Sequence, residues 1–286
     1  MPNRPWRGPR LAWTRLDPWR HIILLPLIVL FLGPLFLLVT TSLRDTGTPL
    51  SRQLELWPGQ PAWGNYPAVF ALLNLWRNAA NSLFVVALAL PLTIIVASWA
   101  GFALAQLPQT WRLRLTALSF AALMVPLSAV WLTRFLLFKE LGLIDSRFAL
   151  IVPALGGTSP FFVLLFLWTF LRVPPELFEA AQLDGAGAAR VWWEIALPLA
   201  RPTIVAVGML TFVSYWGNYV DPLLYLRSPD KMTLPYALQA LHQLDATNWP
   251  ILMAGAAMVT LPVLVVFLVA QRSFLQPSRG QGWIGR

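Results

Sequence analysis

Six stretches of about twenty mostly apolar residues, set apart by charged, proline-rich or tryptophan-rich segments, leave this chain few ways to fold. An α-helix rises about 1.5 Å per residue, so about 20 apolar residues cross a hydrocarbon core of about 30 Å. Of the 286 residues 57% are hydrophobic and only 12% charged, against about 25% charged in an ordinary soluble domain. A soluble core of this size has no use for several such blocks. The expected fold class is therefore an all-α membrane protein with six transmembrane helices, at about 22–41, 82–107, 115–138, 148–171, 199–224 and 251–270.

Residues 1–21 read as an arginine-rich leader and 22–286 as one transmembrane domain. The apolar run after the leader is too long for a signal-peptide core and no small-x-small site follows it, so it reads as the first span. An even number of spans puts both termini on one side. The segments on that side carry thirteen Lys and Arg residues, and the three opposite loops carry seven. That bias places both termini in the cytoplasm and accounts for the net charge of +9 without nucleic acid. The absence of cysteine removes disulfides, Cys zinc sites, Fe–S clusters and thiol nucleophiles.

Proline occurs in nearly every span, at Pro26, Pro34, Pro91, Pro126, Pro153, Pro160 and Pro262. Both kinked packing and a bundle that flexes suit that pattern. The fourth block carries VPALGGTSPFF (152–162), where a straight helix would lose hydrogen bonds and bear the entropy of two glycines. Either the span starts broken or re-entrant, or it starts near Pro160.

The loop between the fourth and fifth spans, 173–198 within VPPELFEAAQLDGAGAARVWWEIALPLARP, reads as a helix, a turn and a second element. Pro174 and Pro175 suit a helix start, and Glu176 and Glu179 suit its positive end. Leu177, Ala180, Ala181 and Asp184 are spaced to share a face that is flat at the alanines. Gly185 and Gly187 can supply the positive φ that stops the helix, and Pro198 marks entry to the fifth span. An interfacial amphipathic helix is the plain alternative, but such helices carry Lys and Arg. This one is acidic, which favours a protein partner.

Glu179-Ala180-Ala181, three residues, Gly185, nine residues, then Ile195-Ala-Leu197-Pro198 resembles the EAA loop of ABC-importer permeases, with Asp184 also in place. LGLIDSRFALIVP (141–153), FVSYWGNYVDPLLYL (212–226) and TLPYALQAL (233–241) extend the likeness to the carbohydrate-uptake branch, of the maltose-permease second-subunit type. The family's Trp-Asn pair is here Trp216-Gly217-Asn218, and its tail lysine is replaced by Ile284-Gly285-Arg286. The resemblance implies a multi-pass subunit of the bacterial inner membrane. It also implies an ATP-binding cassette ATPase dimer, a second homologous permease and an extracytoplasmic solute-binding protein as partners. Glu179, Ala180, Ala181, Asp184, Gly185, Ile195, Leu197 and Pro198 would carry the coupling to the ATPase. No P-loop GxxxxGK[ST] occurs, so ATP and Mg would be used by the separate ATPase and this chain would be non-catalytic.

For the substrate route the candidates are Trp216, Asn218, Tyr219 and Asp221 near the outer end of span five, with Asn78 and Asn81 near the outer start of span two. Rings, amides and a carboxylate suit sugar hydroxyls, and an interfacial aromatic belt with satisfied polar groups suits the same residues. His21 and His242 fall on opposite faces, read as solvent or headgroup residues, and form no metal or catalytic set. A secondary transporter or channel is the alternative class, but ionisable residues inside spans or an inverted repeat, which it usually shows, are not evident.

Overall fold

A computed structural model describes residues 18–47, 56–244 and 248–275, so most of the leader and the C-terminal GQGWIGR lie outside the described residues. Helices α1 (Pro18–Ser42), α2 (Asn65–Leu72) and α3 (Leu75–Gln106) open the chain. The apolar surface of α1 is almost wholly exposed and it packs along the last helix. Its end is held by Asn65, whose Nδ2 donates to Ser42 O, the last residue of the helix, at 2.8 Å and to Arg44 O just beyond it at 2.7 Å.

Helix α3 is the spine, and its residues enter all three buried clusters among the described residues. It begins at Leu75 rather than at 82, because the Asn74 side chain accepts from Arg77 N and caps it there. The added turns are polar on one side and are absorbed by the loop ahead of the helix Leu234–Leu244. Asn81 Nδ2 donates to Asp230 O and Met232 O, both at 2.9 Å. At its other end α3 lies hard against α7, where a Cβ on Gly101 would sit 2.6 Å from Phe166 Cβ and 2.8 Å from Leu167 N.

The third block is not one straight helix over 115–138. It divides into α4 (Gln109–Leu123), a 3-10 turn over Leu127–Val130 and α5 (Trp131–Glu140), and the two arms are bent by 87°. Pro126 has no N–H to give Ala122 and disfavours a helical Val125, so the helix stops there. The fourth block starts broken: α6 (Phe148–Ile151), a 3-10 turn over Val152–Gly156, then α7 (Pro160–Phe170). Gly157 (φ 72°) and Thr158 (φ 63°) join them. A left-handed threonine is uncommon. Here its Oγ1 lies 2.5 Å from Thr93 Oγ1 and 3.1 Å from Tyr215 Oη, which ties the break to the second and fifth spans.

Beyond α7 come α8 (Pro175–Leu183) and a helix over Ala188–Leu199, made of α9 (Ala188–Val191), a π turn at Trp192–Ala196 and α10 (Leu197–Leu199). This helix meets α11 (Arg201–Trp216) at 83°. The fifth span therefore starts at a corner and not as a smooth run from 199. Pro198 and Pro202 cannot donate to the carbonyls of Glu194 and Pro198, which loosens the ladder on both sides of Ala200. Three non-helical residues, Gly217 to Tyr219, separate α11 from α12 (Val220–Tyr225). Then follow α13 (Leu234–Leu244), a helix the hydropathy pattern does not announce, and α14 (Trp249–Leu275). Among the described residues four helical stretches, taking Phe148–Phe170 as one, are long and apolar enough to cross a membrane, and counting each bent pair as one span makes six.

Candidate functional site

Pro174 and Pro175 start α8, as expected of residues that need no backbone partner there. Its stop is a Schellman turn. Gly185 N donates to Gln182 O at 3.0 Å and Ala186 N to Ala181 O at 2.9 Å, around a Gly185 at φ 81°. Gly187 does not contribute a positive φ; it sits in extended backbone at φ −70° because one left-handed residue completes the turn. Open space surrounds Gly185 where a Cβ would lie. The backbone angle, not crowding, requires glycine.

The faces of α8 differ from the sequence reading in one respect. Phe178 is buried against Phe102, with the rings edge to face at 5.7 Å, and Ala181 turns inward beside it. Leu177, Ala180 and Asp184 point away from the bundle, so Ala181 leaves their face. The periodicity was compatible with either side, and the large ring of Phe178 decided which residues were drawn in. Glu176, Glu179 and Asp184 surround an apolar outer surface on which Leu183 is 89% exposed. Trp193 is exposed nearby, next to the surface pair of Arg190 Nε and Glu194 Oε2 at 3.0 Å. Ile195 and Leu197 pack on the inner cluster with Ala181, whereas Glu179, Ala180, Asp184, Gly185 and Pro198 are exposed. The eight motif residues thus divide into a seat and a presented surface.

The α12 end of span five gathers the pathway candidates unevenly. Trp216 is buried, stacked on Phe212 at 5.6 Å, and its Nε1 donates to Val259 O at 2.9 Å. Asn78 is buried in α3. Tyr219 is exposed, and Asn218 and Asp221 bind each other. The sequence reading missed Arg134. It stands on α5, its Nη2 donates to Asp221 Oδ1, and its Nε donates to Tyr225 Oη at 2.6 Å. An ionisable pair therefore does sit within the apolar blocks. A lone arginine in an otherwise apolar third block was the available signal. His242 belongs to α13, is half-buried and lies against Trp249 with ring centroids 4.9 Å apart, rather than standing as a solvent or headgroup residue. The side chain of His21 is outside the described residues. No group of three or more His, Cys, Asp or Glu able to hold a metal ion occurs among the described residues.

A bundle of apolar helices that presents one short, firmly capped helix at its surface has the architecture of a membrane permease. The chain belongs to the family described as binding-protein-dependent transport system inner membrane component, which matches residues 90–276. It is 32% identical to the arabinooligosaccharides transport system permease protein AraQ of Halalkalibacterium halodurans over 85% of this chain and 87% of that one. Identity to AraQ of Bacillus subtilis is 30%, over 94% and 95% of the two chains. To the sn-glycerol-3-phosphate transport system permease protein UgpE of Yersinia pestis it is 29%, over 91% and 95%. Its fold matches the crystal structure of a bacterial ABC transporter involved in the import of the acidic polysaccharide alginate, with a TM-score of 0.73 and 22% identity over 90% of this chain and 95% of that one. The chain is a permease subunit of an inner-membrane importer, and the alternative of a secondary transporter or channel falls away.

Proposed function

We propose that this chain forms half of a pathway that carries a carbohydrate or related polyol into the cytoplasm, with a second permease as the other half. A separate ATPase dimer supplies the energy from ATP and Mg, and an extracytoplasmic solute-binding protein delivers the substrate. In this reading residues 22–286 form one permease domain with both termini cytoplasmic. The observation that carries it is the presented surface of α8, where exposed Leu183 and Leu177 are ringed by Glu176, Glu179 and Asp184. An exposed leucine rimmed by carboxylates suits a groove in a partner protein better than anionic lipid. The names of the relatives, arabinooligosaccharide and glycerol-phosphate permeases among them, support the substrate class. Closure of the ATPase dimer would move α8 as a rigid body with the spans fixed to it, and so switch access from one side to the other. On the substrate side Asn218, Tyr219 and Asp221 remain the pathway candidates, with Trp216 and Asn78 behind them as support.

The test is co-purification with the ATPase and uptake by membrane vesicles carrying the whole system, with arabino-oligosaccharides, lactose and sn-glycerol 3-phosphate as trial substrates. Glu179→Lys and Leu183→Asp leave membrane insertion intact but abolish both ATPase retention and uptake. Retention and uptake at the unaltered level in both variants would overturn the assignment of this surface.

A further inference from the structure

Helix α5 is the outer arm of the broken third span, and it is weakly embedded. Phe138 is its one buried residue, and Leu132, Leu136 and Leu137 are exposed. What fixes it to the body is one face, on which Arg134 and Phe138 stand a single turn apart. That face meets Asp221 and Tyr225, which are also a turn apart, on α12. Arg134 bridges the two, with Nη2 to Asp221 Oδ1 and Nε to Tyr225 Oη at 2.6 Å. Phe138 packs edge to face on the Tyr225 ring at 5.0 Å. Asp221 is itself aimed. Asn218 Nδ2 donates to its other oxygen at 2.9 Å, and Asp221 N donates back to Asn218 Oδ1 at 3.2 Å. The two side chains of the pair are only 21% and 18% exposed.

We propose that Arg134 and Asp221 are positioning residues of the transport cycle: a charged latch whose docking and release set the position of α5, the outer arm of span three. The inference rests on the importer reading above. Its physical basis is that a mostly buried ion pair is costly to open. Removing one partner leaves an uncompensated charge, and a guanidinium shared between a carboxylate and a phenol has a narrow range of good geometries. Its connection to the energy source is continuous in the chain. Asp221 lies on α12, just beyond α11, and α11 starts at the corner that the Ala188–Leu199 helix makes beside α8. Motion imposed on α8 has a path to the latch along the chain, through the Ala188–Leu199 helix, the corner at Ala200, α11 and the short joint at Gly217 to Tyr219.

The chain has no cysteine, so spin labels placed at Leu137 on α5 and Leu223 on α12, both exposed, report the gap directly in the assembled transporter. Arg134→Met and Asp221→Asn should each broaden the distance distribution. Each should also raise ATP hydrolysis measured without the binding protein by at least about fivefold, the lower end of usual coupling between sites. The double exchange Arg134→Asp with Asp221→Arg should restore both values. Arg134→Lys, which keeps the charge but loses the fork, should lie between. A pair that merely stabilised the fold would lower hydrolysis together with assembly. Should the single variants assemble poorly, Tyr225→Phe keeps the charges and the ring but removes one acceptor, and should broaden the distribution slightly. An unchanged distribution in Arg134→Met or Tyr225→Phe, or hydrolysis that does not rise in assembled single variants, overturns the latch. Absence of ATP hydrolysis in the unaltered complex would indict the importer reading instead, and the label distances would still decide whether the pair holds α5.

Discussion

Replacing Asp145 by alanine removes two things at once. The residue stands at φ 58°, a conformation that aspartate and asparagine tolerate better than other side chains. Its carboxylate accepts from Arg227 N and Ser228 N at 3.0 Å each, from Ser228 Oγ, and from Lys231 Nζ at 3.0 Å. The bonds from Ser228 first, then from Arg227 and Lys231, hold its carboxyl well below the usual carboxylate range. A carboxyl whose folded pKa lies below its unfolded value of about 3.9 adds stability that is complete above that pH and fades as pH falls toward the folded value. Asp145→Ala should therefore unfold at a lower temperature at pH 7, the left-handed alanine alone costing about 1–2 kcal/mol. Asp145→Asn keeps the backbone preference and should lose less. The unaltered protein should in addition lose melting temperature below about pH 4 more steeply than Asp145→Asn. Thermal unfolding in detergent across pH checks all of these. At Gly185 the same reasoning applies to the other face of the membrane. Gly185→Ala meets no neighbour and should cost about 1 kcal/mol through its positive φ alone. ATPase retention should therefore be weakened in Gly185→Ala but not abolished as in Leu183→Asp, which a side-by-side pull-down would resolve.

Among the elements, α3 and α7 approach closely, and Gly101 permits it. With Phe166 Cβ, Leu167 N and Val163 O all within 3 Å of where a Cβ would lie, two of the three being backbone atoms, the neighbours cannot turn aside. Gly101→Val should cost about 1–3 kcal/mol of stability, read as a lower melting temperature and poorer assembly. A glycine flanked by alanine and phenylalanine in an apolar block does not announce such a contact, because sequence gives the residue but not the helix it will face. The same boundary runs through the spans. Six apolar blocks were readable because length and hydropathy alone decide them. The corner at Ala200 and the break at Pro126 were not, although both prolines beside Ala200 were visible, since proline in a membrane helix can kink or merely be tolerated. The start and glycine stop of α8 were legible because capping is local chemistry. Which of its alanines turned inward was not, because that choice belonged to Phe178 and its distant partner Phe102. Arg134 and Asp221 lie 87 residues apart, so their pairing lay beyond any periodicity.

For the molecule as a whole, the two polar assemblies lie at opposite ends of the same bundle. The α8 surface continues from the inner cluster that includes Phe102 near the C-terminal end of α3. The Asp145 staple and the Arg147 Nη1 bond to Asn81 Oδ1 at 2.8 Å gather near its N-terminal end. Helix α3 has 32 residues, about 48 Å at 1.5 Å per residue, enough to cross the hydrocarbon and emerge on both sides. On the positive-inside rule, the excess of arginine in the leader, in the segments joined to α8 and in the tail would place the α8 end in the cytoplasm. The importer reading requires the same assignment for a separate reason, since ATP is available only there. The cysteine-free sequence lets these two arguments be tested together. A cysteine at Leu183, which is 89% exposed, should react with a membrane-impermeant maleimide in inverted vesicles and not in right-side-out ones. A cysteine at Asp230, exposed in the opposite loop, should show the reverse. If both sites react from the cytoplasmic side, the span count between them is wrong while the charge rule stands for α8. If the pattern is inverted at both, the charge bias has been misread and α8 cannot be the surface that receives the work of ATP.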